Sequence, residues 1–287
     1  MTATATQEKL ETLQNPDGGW PYNRGRSWTE PTVFALLALS CETAVSSEAA
    51  NKAVRWLRTM QRADGGFAPR PGVEESTWVT ALVLLLPPSL LARLNAAGAL
   101  GWILSQTGRE SSWLQRMRVA MLSGQVHRSG SEGWPWFPET AAWVAPTAFA
   151  ILALREAQKR DPRHEIHERA RSGQEFLMSR MCADGGWNHG SSKALGYDGP
   201  SYPETTGLAL LALRDLKDAR LDRSLERAAR HLESCQSSEA ASWLQLGLLA
   251  HGRGVLSSSS AKRSGVQQVA LGTILEHALR GGGVFVS

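Results

Sequence analysis

The sequence is poor in cysteine, in tyrosine and phenylalanine, and in unbroken apolar runs. Its three cysteines, Cys41, Cys182 and Cys235, lie far apart and form no Cys-x-x-Cys pair. That spacing argues against a disulfide framework and a thiolate metal site, and for small buried residues in a reducing compartment. The longest apolar stretch, ALVLLLPPSLLARL at 81–94, is cut by Pro87 and Pro88 and falls short of the roughly 18 residues that cross a bilayer. The N-terminal MTATATQEKL has neither a basic n-region nor an apolar h-region, so no signal peptide is read and a cytoplasmic location is expected. The net charge is +4 with the arginines dispersed, which lacks the clustered stripe of a nucleic-acid surface. HEIHE at 164–168 offers two histidines without further ligands, so neither metal nor cofactor is expected.

Tryptophan, by contrast, is abundant: 11 residues against 6 phenylalanines and 3 tyrosines. A turn also recurs, as QNPDGGW at 14–20, QRADGGF at 61–67 and MCADGGW at 181–187. Each is followed by an apolar run: WTEPTVFALLAL (28–39), EESTWVTALVLLL (74–86) and YPETTGLALLAL (202–213). A degenerate copy, SEGWPWFPET, precedes WVAPTAFAILAL (143–154), and two turnless units, ESSWLQRMRVAML (110–122) and EAASWLQLGLLA (239–250), match each other. Six units spaced by about 45 to 55 residues are in the range of helix-pair repeats. The ALLAL segments are apolar all round and must be enclosed. NKAVRWLRTMQ and RLDRSLERAARHLES carry one apolar stripe and a wet face. Greasy helices ringed by striped ones satisfy both patterns. The expected fold is therefore all-α, an α/α toroid of about six inner and six outer helices. It forms one domain over 1–287, with half-rings at approximately 1–124 and 125–280 and a helix near 265–280 closing the seam. Asp-Gly-Gly is read as scaffold, with glycine supplying the positive φ of a tight turn.

The Gln…Asp-Gly-Gly-Trp pattern at 14–20, 61–67 and, with Met181 in place of Gln, 181–187 resembles the QW repeat of squalene and hopene cyclases. The chain is thereby similar to the terpenoid cyclase and protein prenyltransferase superfamily, as a single-toroid member. The resemblance implies an α/α toroid with a cavity for a hydrophobic isoprenoid, and acid-initiated cyclisation or isomerisation. Neither the Asp-x-Asp-Asp acid motif nor the Asp-x-Cys zinc pair of those families occurs. The alternative is a non-catalytic protein-interaction module, or a subunit of a prenyltransferase-like complex.

Candidate acids are Glu30, Glu75 and Glu204, each two residues before a threonine of its own repeat (Thr32, Thr77, Thr206), with Asp198 in the long 191–202 insertion as a fourth. A carboxylic acid in an apolar cavity has a raised pKa and can donate a proton. In the first turn of a helix, the same glutamate can simply stabilise the helix dipole. Trp28, Phe34, Trp78, Trp113, Trp143, Tyr202 and Trp243 fall near the starts of inner helices and are expected to line the substrate cavity, where large rings also serve as core. Trp134, Trp136 and Phe137 are expected to expose a patch for a protein partner or a membrane surface.

Overall fold

The computed structural model describes residues 5–42, 47–109, 131–190, 193–194, 197–254, 264–283 and 285. The segments without a polar face become an inner wall. They are α2 (Thr29–Cys41), α4 (Val79–Leu84), α7 (Val144–Arg160), α9 (Pro203–Ala212), α11 (Ser238–Ala250) and α12 (Val266–Leu279). Each packs on the next in that order, and α12 returns to α2, so the ring closes. Helices with one apolar stripe stand outside. α1 (Ala5–Leu13) backs α12, α3 (Glu48–Met60) backs α2, and α6 (Ala96–Ser105) backs α4, to which the short α5 (Pro88–Leu91) leads. α8 (His164–Ser179) backs α7, and α10 (Arg220–Ser234) backs α9 and α11. Nearly every residue of α2 is buried, whereas α3 buries one side, Ala49, Ala50, Ala53, Val54, Trp56, Leu57 and Met60. An apolar cylinder is stable only when enclosed, and a striped one only at a boundary. The molecule is thus an all-α α/α toroid.

The recurring turn works as scaffold, through one set of bonds used repeatedly. Gly18, Gly65 and Gly185 sit at φ +97°, +90° and +94°, a region that side chains with a Cβ seldom adopt. Asp17, Asp64 and Asp184 accept from the N–H of Gly19, Gly66 and Gly186, and from the hydroxyls of Ser27, Ser76 and Ser201. Gln14 and Gln61 each donate twice: to the turn, and to Ala49 or Asn95 at the start of the next outer helix. The aromatic after the turn is fully buried. Its N–H donates to a threonine hydroxyl in the first turn of an inner helix: Trp20 to Thr32, Phe67 to Thr80, Trp134 to Thr147 and Trp187 to Thr206. The indole N–H groups of Trp20, Trp134 and Trp187 donate to Leu10, Ile103 and Leu177 carbonyls on the preceding outer helices.

Two antiparallel ribbons lie among these turns. β1 (Trp134–Pro135) pairs with β2 (Ala142–Trp143), and β3 (Lys193–Ala194) with β4 (Tyr197–Asp198). The first repeats in longer form the single bridge between Trp20 and Trp28.

The expected WPWF docking patch does not exist as such. Trp134 occupies the place of Trp20: it is 2% exposed, bonded through its indole, and covered by Arg169, whose guanidinium lies 3.3 Å from the ring centre. Trp136 is half-buried and meets Trp78 edge-on at 4.7 Å. Phe137 alone of the three is exposed. The degenerate turn hid a full scaffold tryptophan, so the apolar area offered to a membrane or partner is one ring. The inner helix expected over 110–122, with Trp113, lies outside the described residues, as does nearly all of the 256–265 connection. α4 and α7 are direct neighbours in the ring. No helix among the described residues is long and apolar enough to cross a membrane.

Candidate functional site

The inner helices begin at one end of the ring, and their first turns form its mouth. Glu30 stands in the first turn of α2, Glu204 of α9 and Glu239 of α11. In ring order α9, α11, α12 and α2 are consecutive, so these carboxylates occupy one arc, with Gln267 of α12 between Glu239 and Glu30. The remaining arc, α4 and α7, opens with Trp78 and Trp143, and Trp136 lies beside Trp78. The mouth therefore carries its carboxylates along one arc, beside Trp28 and Tyr202, and aromatic rings along the other.

Glu30 is held at both oxygens. The Tyr22 hydroxyl donates to Oε2, and the Gln267 amide donates to Oε1 at 2.6 Å. Burial pushes the Glu30 carboxyl up to about 7, and the charges of Glu239 and Glu204 add to this, while the bonds from Tyr22 and Gln267 pull it down. Burial likewise pushes Glu239 up to about 7, with Glu204 contributing. Water reaches Glu204, yet the surrounding protein still raises its carboxyl, opposed by His189. Three like charges that act on one another titrate as a set, and near neutrality the set retains a proton. Burial and the neighbouring Glu30 hold the Tyr22 phenol far above its ordinary range, so it remains a donor.

Of the four expected acids, the structure brings two together. Glu30 and Glu204 share the mouth; Glu75 does not. The equivalent of Thr32 in the second repeat is Thr80 rather than Thr77, because it is Thr80 that accepts from Phe67 N. Glu75 therefore precedes Ser76, the counterpart of Ser27, and lies exposed. Asp198 is exposed on β4, where its charge acts on Cys182 rather than on the trio. Glu239, Gln267 and Tyr22 escaped the sequence reading. Glu239 had a usable signal: like Glu30 and Glu204, it is an acid in the first turn of an all-round apolar helix. Tyr22 and Gln267 had none, since only ring closure brings them to Glu30.

The expected aromatic lining divides by depth. Phe34 and Trp243 are buried with Phe149, their ring centres 5.7–6.4 Å apart, and Phe285 adds a fourth ring 5.8 Å from Trp243. They are core packed inside the ring. Trp78 sits above them, 5.5 Å from Phe149. Trp28 is half-buried, 5.5 Å from Tyr22 and with Arg70 5.3 Å over its face. Trp143 and Tyr202, 37% and 44% exposed, are the rings open to a ligand. Tyr202 lies 5.1 Å from His189, and Gly190 closes on the Trp143 face.

No protein-family profile matches the chain. The chain is 25% identical over 225 residues to squalene–hopene cyclase of Bradyrhizobium diazoefficiens, covering 67% of this chain and only 30% of the cyclase. Solved structures match the whole fold. Endoglucanase Cel10 of Klebsiella pneumoniae, a family 8 glycosyl hydrolase, superimposes with a TM-score of 0.63 at 15% identity, covering 97% of this chain and 99% of that one. A family 8 endo-β-1,4-glucanase from an Achatina fulica gut metagenome gives 0.65 at 13% identity, covering 97% and 98%. An α-1,6-mannanase of Salegentibacter gives 0.61 at 10%, covering 95% and 96%. These neighbours share the toroid. They correct the expectation of a terpenoid cyclase or prenyltransferase relative with an isoprenoid ligand, since the chains matched end to end are glycoside hydrolases. They do not favour the interaction module or the prenyltransferase-like subunit either. The site supplies a physical reason: the deepest expected lining residues, Phe34 and Trp243, pack against other rings, and one arc of the mouth is carboxylate and amide.

Proposed function

We propose that the protein cleaves glycosidic bonds, with an oligosaccharide bound across the toroid mouth. The observation that carries this reading is the Glu30–Glu239–Glu204 set, two of whose members sit near pH 7. Glycoside hydrolysis requires two carboxyl groups in opposite states, one protonated and one ionised, and like charges close enough to oppose one another's ionisation do not all ionise together. Glu30, with both oxygens accepting hydrogen bonds, is the member built to be an ionised carboxylate. Glu239, raised by burial and by Glu204, is the member built to keep the proton. In the reaction, Glu239 gives its proton to the glycosidic oxygen as the bond from that oxygen to the anomeric carbon breaks. Water adds to the anomeric carbon and yields a proton to Glu30, which completes the balance.

A sugar ring has an apolar C–H face and a hydroxyl rim. The open rings of Trp143 and Tyr202 suit the first, and the carboxylate and amide arc suits the second. The neighbours are consistent with this. Endoglucanases and an α-1,6-mannanase use the same toroid, the latter seen as an inactive double aspartate-to-asparagine variant with α-1,6-mannotriose. A cytoplasmic location, which free Cys41, Cys182 and Cys235 fit, is part of the proposal.

The test is release of reducing ends from β-1,4-glucan and α-1,6-mannan oligosaccharides. Turnover is expected, and Glu30→Gln and Glu239→Gln should each lower kcat by about 100- to 10,000-fold, while Glu75→Gln leaves it unchanged. A panel with no cleaved member, or a glutamine variant at full rate, overturns the proposal.

A further inference from the structure

Glu30 is gripped by two residues from opposite ends of the chain. Tyr22 belongs to the loop after the first Asp-Gly-Gly turn, and Gln267 to the first turn of α12, 237 positions beyond Glu30 in sequence. Their backbones are tied as well: Val266 N donates to the Tyr22 carbonyl at 3.2 Å, and Gly265 lies so close to Asn23 that an added Cβ would meet its Oδ1 at 2.6 Å. Tyr22 is further fixed by its contact with the Trp28 ring. We infer that Tyr22 and Gln267 are positioning residues. Together they fix the plane of the Glu30 carboxylate and favour its ionised, proton-accepting form against its acidic neighbours, and they do so only once the last helix has closed the ring.

The groups facing Glu30 divide in their effect. From α9 and α11, Glu204 and Glu239 oppose its ionisation, as does burial; from the loop and from α12, Tyr22 and Gln267 favour it. A donor to each oxygen removes the rotational freedom of the terminal torsion, which is otherwise broad, and stabilises the negative form. Without them, burial and two like charges would hold the proton on Glu30 to a higher pH, against its role as the acceptor of a proton from water.

This inference rests on the hydrolase reading for its consequence, but not for its test. The midpoint of Glu30 is read directly by carbon-13 NMR of the glutamate carboxyl groups, assigned by the resonance lost in Glu30→Gln. Tyr22→Phe keeps the ring and Gln267→Leu keeps the bulk, and each is expected to raise the midpoint by about one pH unit. Gln267→Glu, which replaces a donor by a fourth negative charge, should raise it further. Where saccharides are cleaved, the acidic limb of kcat/KM should move up by the same amount in each variant. Thermal unfolding identifies any variant whose fold is lost, and a shift in a folded variant is one that a structural role would not produce. Midpoints that stay put in folded Tyr22→Phe and Gln267→Leu proteins overturn the inference, whatever the activity. Midpoints that move in a protein that cleaves no saccharide support it and sink only the hydrolase reading.

Discussion

A threonine hydroxyl and an indole N–H define the register of this molecule more reliably than the acidic residue beside them. Thr32, Thr80, Thr147 and Thr206 all accept from the aromatic that follows a turn. Sequence alone aligned Thr77 with Thr32 and so placed Glu75 at the mouth. The second repeat is one residue shorter between its serine and its threonine, and nothing in composition marks that deletion. The buried indole bonds also have a measurable worth. In Trp187→Phe the indole donor is lost and the smaller ring leaves a cavity, while the Leu177 carbonyl keeps its bond from Arg180 N. A buried hydrogen bond contributes about 0.5–1.5 kcal/mol net and the cavity adds to its loss, so chemical denaturation should show a cost of about 1–3 kcal/mol. An unchanged midpoint would mean that the bond contributes nothing.

Helices read well from the sequence because each class of pattern has one physical outcome. A thirteen-residue α2 that is apolar on every side has to be interior, and α3 with its single stripe has to be a boundary. Their relative closeness, however, is set by single small residues. Gly207 of α9 lies against the α11 backbone, where an added Cβ would meet the Trp243 carbonyl carbon at 2.4 Å, and Gly247 of α11 faces the Gly207 carbonyl. Gly207→Ala has to push the two helices apart. Its cost is expected at about 1–3 kcal/mol or more, with Glu204 and Glu239 displaced at the tops of the same two helices. The variant should lose thermal stability and, on the hydrolase reading, kcat as well. Gly252, which has open space around it but φ +69°, would lose stability through backbone strain instead and should leave kcat unchanged.

At the scale of the whole toroid, the mouth leaves a signature in the pH dependence of folding. Glu30 and Glu239 ordinarily ionise near 4.5 and are raised to about 7 in the folded protein. Between these values the folded state binds more protons than the unfolded chain, so stability falls as pH rises. The contribution is fully present below about 4.5 and is lost through about 7. The melting temperature should therefore decline across that window, and Glu30→Gln and Glu239→Gln should flatten the decline. A melting temperature that instead rises from pH 4.5 to 7, with no difference in the variants, would contradict the raised carboxyls.

The sequence by itself determined the α/α toroid, the inner or outer identity of most of its helices, though not that α12, read only as closing the seam, stands in the inner wall, and the scaffold role of the Asp-Gly-Gly turns. Each of these follows from local periodicity or from the conformational freedom of glycine, and both are written in neighbouring residues. It also pointed to Glu30 and Glu204, as first-turn acids on greasy helices. Only the tertiary structure decided that Glu239 joins them, that Tyr22 and Gln267 grip Glu30, and that Trp134 is core. Those relations depend on which helix ends meet when a ring closes. The electric field at a carboxylate is a sum over space, to which separation along the chain contributes nothing.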